Sequence, residues 1–335
     1  MGAKPRGRPR DAGAAATGRA RAAAAPGPGQ RRVRPRRPDG GLRGGGRARA
    51  RPPRPGGRRA TPGLLHRHGH PAGERAVSTT FDAFRFPTDV PLPAELETWD
   101  AGRLTFRYPA PAPELIEPAV RALRAAGRAL SARPVAEIVG VIDAAANRLA
   151  DPADPLRQQA ERLVPEATGY SPEQARLVLD RMTADWRAPA LHELLRAELG
   201  DPSALDGFVT AGPTRRTRAY GARLAFHVFA GNVPGVAVTS LIRSLLVKSP
   251  VLGKLGSGEP VLPVLFAEAV ASVDAAVADA LALTYWPGGS QDAEWRACEA
   301  ADLVVVYGGD EAVASFRERV PERDRLVVHG PRFSV

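Results

Sequence analysis

Residues 223–255 read RLAFHVFAGNVPGVAVTSLIRSLLVKSPVLGKL, and this stretch decides the fold. Two short runs rich in Val, Leu, Phe and Ala, residues 223–230 and 250–255, have the length and composition of buried strands. Residues 236–247 lie between them, carry apolar side chains at helical spacing, and follow a GNVPG turn. The stretch therefore predicts a strand, a helix and a second strand.

The same alternation continues to the end of the chain. It predicts helices at 261–280, 291–300 and 310–319 and strands at 281–286, 303–307 and 326–329. Short Val- and Leu-rich strands separated by helices indicate an α/β fold with a doubly wound parallel sheet. Ligands bind such sheets at the carboxyl ends of the strands, which directs attention to the loops at 231–235, 256–260, 287–290 and 308–310.

Three of these loops are rich in glycine, as close approach of the backbone to a dinucleotide requires. Their spacing does not match G-x-G-x-x-G. Gly253, Gly256 and Gly258 read G-x-x-G-x-G, and Gly308 with Gly309 lacks a third glycine. From spacing alone, a nucleotide site and ordinary turn glycines both remain open.

Residues 111–200 have the composition and periodicity of helices, with turns at Pro134, Pro152 and Pro155. Ser171, followed by Pro172 and by Gln174 at the third helical position, predicts a capping box. The Arg and Glu residues here are interpreted as solvated faces. This region either covers one side of the sheet or shapes an acyl pocket, and the sequence leaves both open. We divide the chain into a tail (1–76), a mainly helical region (77–211) and an α/β domain (212–335).

The net charge of +11 is unevenly distributed. Residues 1–76 hold 20 of the 47 Lys and Arg residues and 3 of the 36 Asp and Glu residues, so their charge is +17 and that of the remaining 259 residues is −6. Ala, Gly, Pro and Arg make up 61 of these 76 residues. A segment with so little apolar area cannot offset its backbone entropy, so we predict a disordered basic tail.

Three interpretations of the tail stay open. It is a basic arm that neutralises nucleic acid phosphates, a targeting peptide, or the translation of GC-rich DNA upstream of a native start near Val77. The third is favoured, so a nucleic acid partner is not expected. His66, His68 and His70 lie in this tail, where no preformed metal site is expected.

Several classes of protein are excluded by the sequence. No run of about 18 uncharged apolar residues is present, which argues against a membrane span. The single cysteine, Cys298, rules out an internal disulfide and a paired-cysteine zinc site, and we predict a cytoplasmic protein. The G-x-S-x-G, G-x-x-x-x-G-K-[ST] and H-E-x-x-H motifs are also missing.

Four segments in order resemble the acyl-CoA reductase (LuxC-type) family of the aldehyde dehydrogenase superfamily. They are HVFAGNVPGVAVTSLIRSLLVKSPVLGKLGSGEP (227–260), TYWPGGS (284–290), ADLVVVYGGDEAV (301–313) and RLVVHGPRFSV (325–335). The resemblance covers roughly residues 77–335 and implies an aldehyde dehydrogenase-like nucleotide-binding domain. It also implies reduction of a long-chain fatty acyl-CoA or acyl-protein to the aldehyde, with an acyl-transferring synthetase as partner.

The resemblance also implies roles for individual residues. Asn232 matches an asparagine whose amide helps to bind the oxyanion formed at the thioester carbon. The cofactor-binding residues that it implies are Gly231, Lys254, Ser257, Gly308 and Gly309. Ser257 stands where many NAD-dependent relatives have a glutamate; without that carboxylate the 2′-phosphate is not repelled, so NADPH is the expected cofactor.

The family uses a cysteine nucleophile some tens of residues beyond the HG motif. The sequence ends at Val335, five residues past Gly330, so it is interpreted as the front half of such an enzyme, inactive alone. Cys298 lies in a predicted helix and is interpreted as a small buried side chain. Many relatives place a glutamate base next to the last glycine, where this chain has His329 and Pro331. The alternatives are a non-catalytic nucleotide-binding or scaffold protein and a nucleic acid binder.

Overall fold

The computed structural model describes residues 79–289 and 291–330. The predictions for the basic tail, including its three histidines, lie outside the described residues. The chain folds into a small sheet, a layer of helices and a larger parallel sheet, in that order.

The first half of the described chain contains three strands followed by five helices. The strands, of which the central β3 pairs parallel with β1 and antiparallel with β2, are β1 (Thr79–Asp82), β2 (Glu97–Ala101) and β3 (Leu104–Tyr108). The helices are α1 (Pro113–Ala132), α2 (Val135–Ala150), α3 (Pro155–Thr168), α4 (Pro172–Asp185) and α5 (Ala188–Leu199). A 3-10 turn (Pro202–Leu205) and a two-stranded ribbon, β4 (Val209–Thr210) with β5 (Arg216–Thr217), follow.

The second half alternates strands and helices. Its elements are β6 (Ala225–Val228), α6 (Val236–Leu246), β7 (Val251–Lys254), α7 (Val261–Val273), α8 (Ala275–Ala278), β8 (Leu281–Thr284), α9 (Gln291–Ala300), β9 (Leu303–Tyr307), α10 (Asp310–Arg319), a 3-10 turn (Arg323–Arg325) and β10 (Leu326–His329). The strands form one sheet in the order β10-β9-β6-β7-β8, and all its neighbouring pairs are parallel. The strand order reverses between β6 and β9, which makes the carboxyl ends of these two strands the natural ligand crevice.

Alternation along the strands separates two faces of this sheet. Phe226, Leu252 and Val304 pack with buried residues of α1, α9 and α10, and we call this the α9 face. His227, one residue away from Phe226, instead contacts Ser240 in α6, on what we call the α6 face. Both faces are covered by helices, which explains why the strands are continuous apolar runs.

Helices α2 to α5 form a helical layer that packs on the α6 face, whereas α1 packs on the α9 face. Helix α2 lies against α6 and α7, and α3 also packs on α7. Trp186, which is 1% exposed, donates a hydrogen bond from Nε1 to Oγ1 of Thr239 in α6 over 3.0 Å. Of the two roles that the sequence left open for the helical region, covering one side of the sheet is therefore observed.

Two predicted details of the helical region have different outcomes. The capping box of Ser171 and Gln174 is confirmed, since each side chain accepts a hydrogen bond from the other residue's backbone N–H. The interpretation of all Arg residues as solvated was wrong for Arg157, which is 2% exposed. Its guanidinium is held by Glu161 at 2.8 Å and Asp180 at 2.6 Å, so its charge is buried but compensated.

One predicted helix was wrong, and one sheet was not predicted. Residues 261–280 form two helices because Asp274 adopts an extended conformation and caps α8, accepting from the Val277 N–H at 3.0 Å. The sheet of β1–β3 lies within the region predicted to be mainly helical. The segment that follows β1 runs along β8 and covers this edge of the large sheet, where Arg85 and Leu283 exchange backbone hydrogen bonds.

No helix within the described ranges is long and apolar enough to cross a membrane.

We expect Asp274→Ala to lower the free energy of unfolding by about 1–2 kcal/mol, because the α8 cap and the pairing with Arg133 at 2.5 Å are lost together. Urea unfolding of the full chain measures this change. Glu198→Ala, at an exposed position in α5, is the matched control and should change stability by less than about 0.5 kcal/mol. Equal effects of the two substitutions would contradict the assigned cap.

Candidate active site

Two glycine-containing loops meet at the carboxyl ends of β6 and β7. A Cβ atom built on Gly231 would lie 2.5 Å from the backbone N of Gly258, and one on Gly256 would lie 2.5 Å from the backbone N of Gly231. The two loops are therefore in backbone contact, which leaves no room for a side chain at either position. This contact brings the GNVPG turn beside the loop that carries Ser257.

Asn232 follows Gly231 and is exposed. In the described part of the chain no hydrogen bond engages its side chain, so the amide is available to a ligand. Gly235 begins α6 with φ of +86°, and a Cβ there would lie 2.6 Å from Cε of Met182. The helical layer thus touches the end of the turn that presents Asn232.

Lys254, at the end of β7, points to the α9 face and is only 13% exposed. Its Nζ lies 3.8 Å from Oε1 of Glu294 and 5.9 Å from the centroid of the Trp286 ring. Burial lowers the pKa of Lys254, while Glu294 opposes that change. Glu294, which also faces Arg319 at 3.6 Å, was not predicted from the sequence, because its partners are 25 or more residues away.

Ser257 is exposed in the second loop, so it is accessible to a ligand. Two residues later, Glu259 is 4% exposed and accepts a hydrogen bond from the backbone N–H of Leu262, over 2.7 Å, at the start of α7. Burial raises the pKa of Glu259 to about 8, and the backbone hydrogen bonds act in the opposite direction. Glu259 was not predicted as a site residue, although a carboxylate among glycines just before an apolar helix is a recognisable sequence signal.

Gly308 and Gly309 connect β9 to the ten-residue helix α10. A Cβ on Gly309 would meet nothing within 4 Å, whereas one on Gly308 would lie 3.0 Å from Cβ of Ala312. The open space at Gly309 suits a ligand lying over the turn. Asp310 and Glu311 occupy the first turn of α10, so their charges already interact with its helix dipole.

A buried polar network connects β6, α6 and β9. His227 Nδ1 lies 2.9 Å from Oγ of Ser240, its Nε2 lies 3.1 Å from Oγ of Ser244, and Tyr307 donates from Oη to Ser240 over 3.0 Å. Burial lowers the pKa of His227 to about 3, so the imidazole is neutral. A neutral ring accepts at one nitrogen and donates at the other, which matches its two hydroxyl partners.

A cavity of about 510 Å³ opens beside this network. It lies between the helical layer, α6 and the ends of β9 and β10, and most of its lining is apolar. His329 stacks on Tyr307 at its rim, with 4.4 Å between ring centroids. The lining residues include Met182, Trp186, Ala190, Leu191, Leu194, Val236, Thr239, Ser240, Tyr307 and His329. Its volume is within the range of small-molecule pockets.

Cys298 lies in α9, packed on the α9 face, and is 3% exposed. Burial raises the pKa of its thiol to about 12. A thiol held protonated and away from solvent is a poor nucleophile, and its surroundings agree with the interpretation of a small buried side chain. Among the described residues, no group of three or more His, Cys, Asp or Glu side chains could hold a metal ion.

These residues fit a dinucleotide. The turn at Gly309 leaves exposed backbone and open space at the carboxyl end of β9, next to the point where the strand order reverses, as a pyrophosphate requires. Gly231, Ser257, Gly308 and Gly309 all lie at the carboxyl ends of β6, β7 and β9. Lys254 also lies at the carboxyl end of a strand, β7, but its ammonium group points to Glu294.

Comparison with known proteins gives consistent matches. The family described as Acyl-CoA reductase (LuxC) matches residues 130–335. The long-chain acyl-protein thioester reductases of Aliivibrio fischeri and Photobacterium phosphoreum are 29% and 28% identical over 176 residues, which are 50% of this chain. The matched stretch is 36% and 35% of the length of those relatives.

Solved structures match a longer part of the chain. Aldehyde dehydrogenase C from Pseudomonas syringae, in a complex with NAD+ and octanal, superposes with a TM-score of 0.58 at 15% identity. The superposition covers 75% of this chain and 50% of that one. It confirms the predicted aldehyde dehydrogenase-like fold with its parallel sheet.

Glu259→Gln is expected to remove a pH-dependent loss of stability. With its pKa raised to about 8, the folded chain keeps a proton that the unfolded chain releases near pH 4.5, so stability falls as pH rises between these values. The slope is at most about 1.4 kcal/mol per pH unit. Glutamine does not ionise and still accepts from Leu262, so the variant should gain stability over the wild type from pH 5 to pH 8.

Urea unfolding at several pH values measures this difference, with Glu198→Gln as the exposed control. A constant difference between Glu259→Gln and the wild type across that range would show that Glu259 is already ionised at pH 5.

Proposed function

Because this chain belongs to the acyl-CoA reductase (LuxC) family, we propose that it takes part in the NADPH-dependent reduction of a long-chain acyl thioester to the aldehyde. One observation carries the proposal: the 510 Å³ cavity is lined by Tyr307, and Gly308 of the cofactor turn follows directly. An acyl chain in the cavity and a dinucleotide over the turn would be neighbours. The names of the matched relatives support an acyl-protein thioester as substrate.

The dinucleotide would lie over Gly231, Gly308 and Gly309, with Ser257 near the adenosine ribose. Ser257 is neutral and exposed, which allows a 2′-phosphate that a carboxylate would repel. Lys254 could reach the ribose only by leaving Glu294. When bound, the nicotinamide supplies the hydride.

Asn232 would donate an amide N–H to the thioester oxygen. Its side chain is exposed and has no competing hydrogen bond among the described residues, so it is free to turn toward a substrate. An amide donor at developing negative charge stabilises the transition state more than the ground state.

The reactive thiolate of this chemistry would not come from Cys298. Its thiol is buried on the α9 face, whereas the cavity lies on the α6 face. We propose that these 335 residues supply the cofactor and acyl sites and do not reduce a thioester without an added nucleophile. A cytoplasmic location and an acyl-transferring synthetase as partner belong to the same proposal.

Ser257→Glu should weaken NADPH binding by about tenfold relative to NADH binding, since a carboxylate near the ribose would repel the 2′-phosphate that NADH lacks. Quenching of tryptophan fluorescence in the full chain measures both affinities. Ala136→Glu adds the same charge at an exposed position of α2 and should change neither. A wild-type chain that prefers NADH would refute the proposed cofactor.

Ala190→Trp should weaken binding of tetradecanoyl-CoA by about tenfold or more, because the indole would fill part of the acyl cavity. Isothermal titration gives the affinity. Glu193→Trp, at an exposed position of the same helix, is the control and should bind like the wild type. If both variants bind equally, the acyl chain does not enter this cavity.

A further inference from the structure

A second cavity lies at the opposite end of the large sheet from the candidate active site. Its volume is about 340 Å³, and it is bounded by α1, by residues 218–223 and by the connection from α6 to β7. Pro250, immediately before β7, and Arg223, two residues before β6, both line it, so it lies at the amino ends of these strands. Among the described residues, all the charged side chains that line it are cations: Arg124, Arg128, Arg218, Arg223 and Lys248.

Within the described ranges, two of these cations have carboxylate partners. Arg223 pairs with Asp302 at 2.8 Å and Lys248 with Asp206 at 2.7 Å. Arg124 donates to the carbonyl oxygen of Ala300 over 2.8 Å, which leaves its charge uncompensated.

The other two arginines have no carboxylate partner within the described part of the chain. The guanidinium of Arg218 lies 4.7 Å from the centroid of the Tyr220 ring, and its Nε is buried without a hydrogen bond acceptor. Arg128 is exposed and forms no ion pair. Three like charges around one cavity repel each other, and an anion bound between them would offset this repulsion.

The backbone around this cavity is also unusual. Lys248 has φ of +61°, and it is the one non-glycine residue with a positive φ in the described ranges. A helix commonly ends with glycine in this conformation, so a lysine here is strained. Gly221 packs so closely on the carbonyl of Val247 that a side chain would not fit, which holds Arg218 and Arg223 near Lys248.

We propose that this cavity binds a small soluble phosphorylated anion, such as a phosphate monoester or a pyrophosphate, separately from the cofactor. The forked donors of arginine match phosphate oxygens, and a cleft lined by one sign of charge concentrates counter-ions. Three uncompensated cations match the two or more negative charges of a phosphoryl group better than the single charge of one carboxylate. The guanidinium of Arg218, which lines the cavity and forms no hydrogen bond among the described residues, supplies donors for such a ligand.

Isothermal titration of the full chain with inorganic pyrophosphate tests this site. We expect saturable binding that weakens by about tenfold in Arg128→Gln and in Arg218→Gln, as loss of a charge-assisted hydrogen bond predicts. Arg181→Gln removes the same charge from an exposed position of α4 and should bind like the wild type. The basic tail contributes the same background to every variant, so the differences report on the cavity.

Two further arms separate this site from the cofactor site. NADPH affinity should be unchanged in Arg128→Gln, and pyrophosphate affinity should be unchanged in Ser257→Glu. Equal pyrophosphate binding by the wild type, Arg128→Gln and Arg181→Gln would overturn the proposal, as would tighter binding of acetate than of phosphate. Arg128 is exposed, so its variant decides the result if Arg218→Gln does not fold.

Discussion

The approach of two backbone loops at the carboxyl ends of β6 and β7 is the constraint on which the rest of the site depends. Gly231, Gly256 and Gly258 meet where any Cβ atom would displace the opposite backbone. Because the contact involves main chain on both sides, repacking side chains cannot relieve a substitution. The contact fixes the position of Asn232 on one loop and of Ser257 on the other, so the candidate oxyanion donor and the candidate ribose site share one support.

Three buried polar side chains of the fold have partners that compensate their burial. His227 has hydroxyl partners at both ring nitrogens, Glu259 accepts from the start of α7, and Arg157 is held by two carboxylates. Each of these groups would destabilise the fold if it were buried alone. The hydrogen bonds that join His227 and Tyr307 to Ser240 connect β6 with β9, the two strands between which the strand order reverses. Tyr307 also stacks on His329 of β10, so these contacts hold the edges of the ligand crevice in place.

The two ends of the sheet have opposite characters. At the carboxyl ends the loops present glycine backbone and an exposed amide, which suits a large ligand that needs close contact. At the amino ends the cavity wall includes five cationic side chains, next to the strained backbone of Lys248 and the close contact at Gly221. Both ends depend on short connections between strands and helices, so the same alternation that builds the fold also places the two cavities.

The sequence by itself determined the alternating elements and the glycine turns. Helices α9 and α10 and strands β9 and β10 begin and end where the pattern of apolar residues predicted, because such patterns report short-range hydrogen bonding. Asp274 shows the limit of this approach, since a cap within an apolar run divided one predicted helix in two. Only the tertiary structure decided that Lys254 turns to Glu294, that α1 packs on the α9 face and that the helical layer leaves a cavity beside Tyr307. These contacts join residues 40 to 180 positions apart, where the path of the chain, and not its local pattern, sets which side chains meet.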